Sequence, residues 1–161
     1  MTTTTSCNRS TLSIVTGGQS GVDRAAMDVA QKFNLPLGGW CPRGRWAEDG
    51  PIPESYPLRE CDSEVPAVRT ELNVIDSDGT LIITCEGPKD GTPLTLECAQ
   101  KHGRPYLVLS LDEHPDVDAF WKWITHNQIK VLNIAGPRES FAPGSVYKPA
   151  YGIISELVAP R

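Results

Sequence analysis

Five short apolar runs, interleaved with longer stretches of helical spacing, constrain this chain more than any other feature. The runs are Leu12 to Thr16, Leu37 to Trp40, Thr80 to Thr84, Tyr106 to Leu111 and Lys130 to Ala135. Between and after them the period changes from two to about 3.6. Val22, Ala25, Ala26, Val29 and Phe33 fall on one face of a helix, and further helices are expected over Val65 to Asp76, Thr92 to His102, Val117 to His126 and Val146 to Val158. Strands alternating with helices need crossover connections, and those build a parallel sheet covered on both faces. The expected class is therefore α/β, a Rossmann-like three-layer αβα sandwich with a mainly parallel sheet of about five strands. The 161 residues suit one domain. Residues 1–10 are expected to form a disordered N-terminal tail and residues 11–161 a single ligand-binding domain.

Composition narrows the partners. A formal charge of −5 argues against a nonspecific nucleic-acid binder, which would carry a basic face. No apolar run approaches the ~20 residues of a membrane helix, and residues 1–6 lack the pattern of a signal peptide. Five cysteines without a CxxC pair are expected to be reduced thiols in a cytoplasmic protein. His102, His114 and His126 have no partners at ligand spacing, so no free-standing metal site is expected.

In sheets of this kind ligands bind where strands end and helices begin. Three such loops are rich in glycine. The first runs Thr16-Gly17-Gly18-Gln19-Ser20-Gly21-Val22-Asp23-Arg24. Its glycines let backbone approach a ligand, and the following helix offers unpaired N–H groups to a phosphate. It is neither the dinucleotide GxGxxG nor a P-loop; it would also serve as a tight turn capped by Ser20 or Asp23. The second loop, Glu86 to Thr92, places Gly87, Lys89, Gly91 and Thr92 before a helix, which suits an oxyanion and equally suits a plain helix cap. The third contributes Gly136 and Arg138, whose guanidinium is able to grip a phosphate by two hydrogen bonds. A long insertion, Cys41 to Asp62, adds Arg43 and Arg45 beside Trp46, which fits an anionic, partly planar ligand or an exposed basic turn.

These segments carry a resemblance. Residues 16–26, the stretch Gly39 to Arg45 with Ala47 to Pro53, and Asn133 to Ser140 are similar to the molybdenum carrier family, over roughly Leu12 to Leu157. The resemblance implies a Rossmann-like, oligomeric protein (dimer or tetramer) that binds the molybdenum cofactor, molybdopterin, with molybdoenzymes as recipients. The cofactor's terminal phosphate and oxo groups would meet Gly17, Gly18, Gln19, Ser20, Gly21, Asp23, Arg24, Arg43, Arg45, Gly87, Lys89, Gly91, Thr92, Gly136 and Arg138. That family is in turn similar to phosphoribohydrolases once labelled lysine decarboxylases. Their pattern carries over Arg69 as a phosphate-side residue, with Asp78 and Gly91-Thr92 in order. The position of their catalytic Glu holds Thr95, a hydroxyl unable to act as base near neutral pH. A binding protein without catalytic residues is thus expected, with a nucleoside-monophosphate phosphoribohydrolase or a nucleotide-sensing module as alternatives.

Overall fold

The computed structural model of the chain describes residues 11–85 and 92–160. Its elements follow the alternation of the sequence: β1 (Ser13–Val15), α1 (Val22–Lys32), β2 (Leu37–Gly38), β3 (Trp40–Cys41), β4 (Arg59–Glu60), α2 (Pro66–Ile75), β5 (Gly79–Thr84), α3 (Thr92–Lys101), β6 (Tyr106–Ser110), α4 (Val117–His126), β7 (Val131–Ala135) and α5 (Tyr147–Val158). Five strands form one sheet in the order β2-β1-β7-β5-β6, and every pairing is parallel. Five helices flank it, so the α/β Rossmann-like sandwich is the fold of this chain.

Side-chain alternation along the strands separates two cores. Ile14, Leu81, Ile83, Leu132 and Ile134 join α1, α4 and α5 in the main apolar cluster. Residues of opposite parity turn the other way, where α2 packs on α3. There the buried Asn133 amide donates to Thr80 Oγ1 at 3.3 Å, and Glu71 on α2 meets Lys101 and His102 at the end of α3 at 3.0 and 2.8 Å. Asp78 is a structural anchor: its carboxylate accepts the Lys130 and Val131 amides at 3.0 and 2.9 Å and so fixes the start of β7.

The second apolar run splits at Gly39. Its φ of +124° and its approach to Thr16, whose carbonyl a Cβ would meet at 2.3 Å, turn the chain out of the main sheet. Trp40 and Cys41 then pair in parallel with Arg59 and Glu60 in a separate two-stranded ribbon. The Arg59 guanidinium stacks 4.3 Å from the Trp40 ring centroid, and Asn73 holds the Trp40 backbone through two hydrogen bonds of 2.7 and 2.9 Å. The insertion is folded rather than structureless, because Ala47, Ile52 and Leu58 bury against Met27 and Cys41 in a core of their own. Among the described residues no helix is long and apolar enough to cross a membrane.

Candidate functional site

The turn after β1 is set by three close approaches. A Cβ at Gly17 would stand 2.2 Å from Nη1 of Arg69, so α2 delivers a guanidinium directly onto the strand end. Gly18, at φ +82°, faces Ile52 and Leu58 of the insertion, and Gly21, at φ +77°, faces the backbone of Pro137 to Glu139. Glycine is required at both by conformation and by space.

The amides of this turn are largely committed to the protein itself. Gln19 N donates to Asp23 at 3.1 Å, Ser20 N to the Gln19 side chain at 2.9 Å, and Val22 N to Pro137 O at 3.2 Å. Asp23 is 3% exposed and lies 3.7 Å from Arg69 Nη1. Burial pushes its carboxyl above the ordinary aspartate value, against the pull of Arg69 and the Gln19 amide. Arg69 is itself 14% exposed on its side chain, and its buried Nε has no hydrogen-bond partner among the described residues. A cation with a spare donor thus sits at the end of β1.

Glu48 ties the insertion to the loops after β1 and β7. It accepts from the Ser20 hydroxyl, from Ser140 N at 3.0 Å and from Ser140 Oγ at 2.6 Å. Ser20 Oγ in turn accepts from Glu139 N at 3.1 Å. Burial alone would raise the Glu48 carboxyl, but the Ser140 and Ser20 hydroxyls, with Arg138 nearby, hold it below the ordinary glutamate value. Arg138 itself is exposed. Gly136 is a packing glycine, since a Cβ there would meet Ile83 O at 2.5 Å and Val22 Cγ2 at 2.6 Å.

Beside this junction opens a cleft of about 720 Å³ whose walls include Ser20, Gly21 and Arg24 together with Asp28, Glu48, Asp49 and Glu139. Arg24 is already engaged, by Nη1 and Nη2, to Asp49 at 2.8 and 3.1 Å, and its buried Nε, like that of Arg69, has no hydrogen-bond partner among the described residues. The hydroxyls of Tyr56 and Tyr147 each donate to one oxygen of Asp28. Burial, then the Asp28 hydrogen bond, pushes the Tyr56 hydroxyl up to about 12, and the same causes raise Tyr147. The cleft is therefore acceptor-rich, and its chemistry suits N–H donors of a ligand better than a phosphate.

The expected site residues thus divide. Gly17, Gly18, Gln19, Ser20, Gly21, Asp23, Arg24, Arg69, Gly136 and Arg138 converge around the ends of β1 and β7. Arg45 does not present a free guanidinium. It takes up φ +54° and donates to the carbonyls of Ile52, Leu58, Pro53 and Tyr56 at 2.8 to 3.0 Å, stapling the insertion. Arg43 points elsewhere, to Glu64 at 3.6 Å, with both side chains largely exposed. Gly87, Lys89 and Gly91 lie outside the described residues; Thr92 opens α3. Thr95 is buried, 6% exposed, in that helix. No group of three or more His, Cys, Asp or Glu suited to a metal ion occurs among the described residues.

Sequence reasoning missed Asp28, Tyr56 and Tyr147 as cleft residues. Asp28 was findable, because it stands four residues after Arg24 on the same face of α1. The tyrosines carry no such signal; one comes from the insertion and the other from the start of α5.

Comparison with known proteins agrees with this architecture. The model of the circularly permutated YpsA SLOG family matches residues 14–158. The crystal structure of "Putative molybdenum carrier protein" from Syntrophus aciditrophicus SB superposes with a TM-score of 0.85 at 42% sequence identity, covering 93% of this chain and 96% of that one. A comparison with curated proteins finds no match. By a family match over nearly its whole length and by this likeness in fold and sequence, the chain belongs to the circularly permutated YpsA SLOG family.

Proposed function

We propose that this protein is a carrier that binds the molybdenum cofactor, or a closely related phosphorylated pterin, without transforming it. The observation that carries this reading is the Arg69 guanidinium on Gly17, with a buried Nε that lacks a partner among the described residues. A buried donor left unsatisfied costs free energy that an incoming oxyanion would recover. Its partial neutralisation by Asp23 at 3.7 Å leaves a fork able to donate hydrogen bonds to a phosphate or oxo oxygen. Because Gln19 N, Ser20 N and Val22 N are committed internally, the anion seat is narrower than the whole glycine turn. It centres on Gly17, Gly18 and Arg69.

The neighbouring acceptor-rich cleft suits the other end of such a ligand. A pterin ring bears adjacent N–H groups on its aminopyrimidine edge, and carboxylates such as Glu48 or Asp28 are their natural acceptors. The relative of 42% identity bears the name "Putative molybdenum carrier protein", which favours the same ligand class here. Release to a molybdoenzyme belongs to this proposal. Thr95, buried and without a carboxylate, favours holding over hydrolysis.

The test is ligand identification on protein purified from a molybdate-replete host, by metal analysis and mass spectrometry. Molybdenum together with a phosphorylated pterin is the expected result. Protein that carries neither, and fails to bind the cofactor when it is supplied, overturns the proposal. Release of free base from nucleoside monophosphates, abolished by Arg69→Ala, would replace it with the phosphoribohydrolase alternative.

A further inference from the structure

Four carboxylates line the cleft beside Ser20, and three of them are held in the protein's own framework. Glu48 joins Ser20 to Ser140. Glu139 accepts the amides of Gly144 and Tyr147 at 2.9 and 2.8 Å. Asp49 is closed by its two contacts with Arg24. Asp28 differs, because its partners are hydroxyls: Tyr56 donates to one oxygen and Tyr147 to the other. Each carboxylate oxygen has two lone-pair sites, so one on each remains for a ligand. Both phenols are raised by burial and by this bond, and they keep their protons at neutral pH. With those protons donated to Asp28, the trio offers the cleft lone pairs and no hydrogens.

Arg24 supplies the opposite pattern. It stands one helical turn before Asp28 on the same face of α1, which places the two side chains about 5–6 Å apart at Cβ. Its guanidinium lies 5.8 Å from the Tyr56 ring centroid. Asp49 takes one N–H from Nη1 and one from Nη2. Of the five N–H groups of a guanidinium, three then remain, and all are donors. A pure donor therefore neighbours a pure acceptor in a cleft of about 720 Å³, a volume within the ~300–1,000 Å³ of small-molecule sites.

We propose that Asp28 determines the specificity of this cleft by reading a 2-amino-4-oxopyrimidine edge, so that guanine nucleotides bind where a pterin would. That edge carries a ring N–H and an adjacent amino N–H, which a carboxylate accepts together, and beside them an oxo oxygen, which Arg24 is placed to meet. Guanine and pterin share it. Hypoxanthine lacks the amino group, xanthine puts an oxygen in its place, and adenine has neither the ring N–H nor the oxo group. Tyr56 and Tyr147 hold the carboxylate and add apolar ring surface to the same walls. The inference rests on the carrier reading only in taking this cleft as part of the ligand site.

Calorimetric titration of the full-length protein with GMP, IMP, XMP and AMP tests it, since the four probes differ in the base alone. Wild type should bind GMP at least about tenfold more tightly than the other three, the worth of one hydrogen bond to a charged group. Asp28→Asn keeps the shape but exchanges one acceptor for an N–H donor. It should lose at least about tenfold toward GMP and prefer XMP, whose 2-oxo group accepts the new N–H, an inversion that mere loosening of the fold would not produce. Pterin against lumazine, its 2-oxo counterpart, should show the same order and the same inversion. Should the variant fail to fold, the wild-type series still decides. Equal affinity for GMP and IMP, no binding of any probe, or a guanine preference unchanged in folded Asp28→Asn overturns the proposal. If that happens while molybdenum cofactor still binds, the carrier function stands; a guanine preference without cofactor binding strikes the carrier function and leaves this assignment.

Discussion

Arg69 rests on Gly17: a methyl group at residue 17 would lie 2.2 Å from Nη1 and 2.5 Å from Cζ of the guanidinium. The glycine therefore admits a cation from α2 to the end of β1, besides allowing the turn. Gly17→Ala should push the guanidinium aside. The displaced group is the far end of a flexible side chain, so the expected stability cost is within about 1 kcal/mol. Loss of ligand affinity should be larger, about 10- to 100-fold, the worth of one hydrogen bond to a charged group. Urea melts and calorimetric titration on the same sample separate the two effects.

Gly21→Ala should behave in the opposite way. Its added Cβ would meet Pro137 O at 2.4 Å and Glu139 N at 2.8 Å, at a φ of +77°. Backbone cannot swing away as a guanidinium does. Left-handed strain and overpacking together should cost at least about 2 kcal/mol, seen as a lower urea midpoint with an unchanged slope.

Arg45 and Arg43 should separate sharply. Arg45 donates to four carbonyls of the insertion, a fan that a lysine ammonium does not reproduce. Arg45→Lys should destabilise by about 2–4 kcal/mol, since several charge-assisted bonds are lost at once. Arg43→Ala breaks an exposed 3.6 Å contact with Glu64 and should change stability by less than about 0.5 kcal/mol. Thermal or urea denaturation of both variants checks the contrast.

The Glu48 carboxyl is held below its ordinary value of 4.5 by the serine hydroxyls after burial is overcome. A depressed folded pKa means that its contribution is fully present above the unfolded value and is lost as pH falls through the folded one. Wild type should thus be more stable than Glu48→Gln above pH 4.5, and the gap between their denaturation midpoints should close as the solution is acidified below it. A gap that stays constant with pH would mean that the ionised carboxylate is not what joins the three loops.

Much of the fold was legible because its five strands are apolar runs flanked by glycine, and its helices show an unbroken 3.6 period, as in Val22 to Lys32. The β3–β4 ribbon was not. Arg59 and Glu60 are exposed and charged, and their pairing depends on Gly39 turning the chain out of the main sheet. At the site, glycines and arginines were the visible signal, but residue type alone does not say what a guanidinium faces. Arg45 faces carbonyls of its own insertion, Arg24 faces Asp49, and Arg69 faces a strand-end glycine. Asp23, an ordinary candidate for a helix cap, turned out to be the buried partner of Arg69, which depends on α2 crossing the end of β1.

The most direct test of the carrier function is anaerobic equilibrium binding of isolated molybdenum cofactor to the wild-type protein and to Arg69→Ala, with dephosphorylated cofactor in parallel. If Arg69 and Gly17 form the anion seat, wild type should bind the phosphorylated form, and both the arginine substitution and removal of the phosphate should weaken binding at least about tenfold. No binding by wild type, or equal affinity for Arg69→Ala, would contradict it.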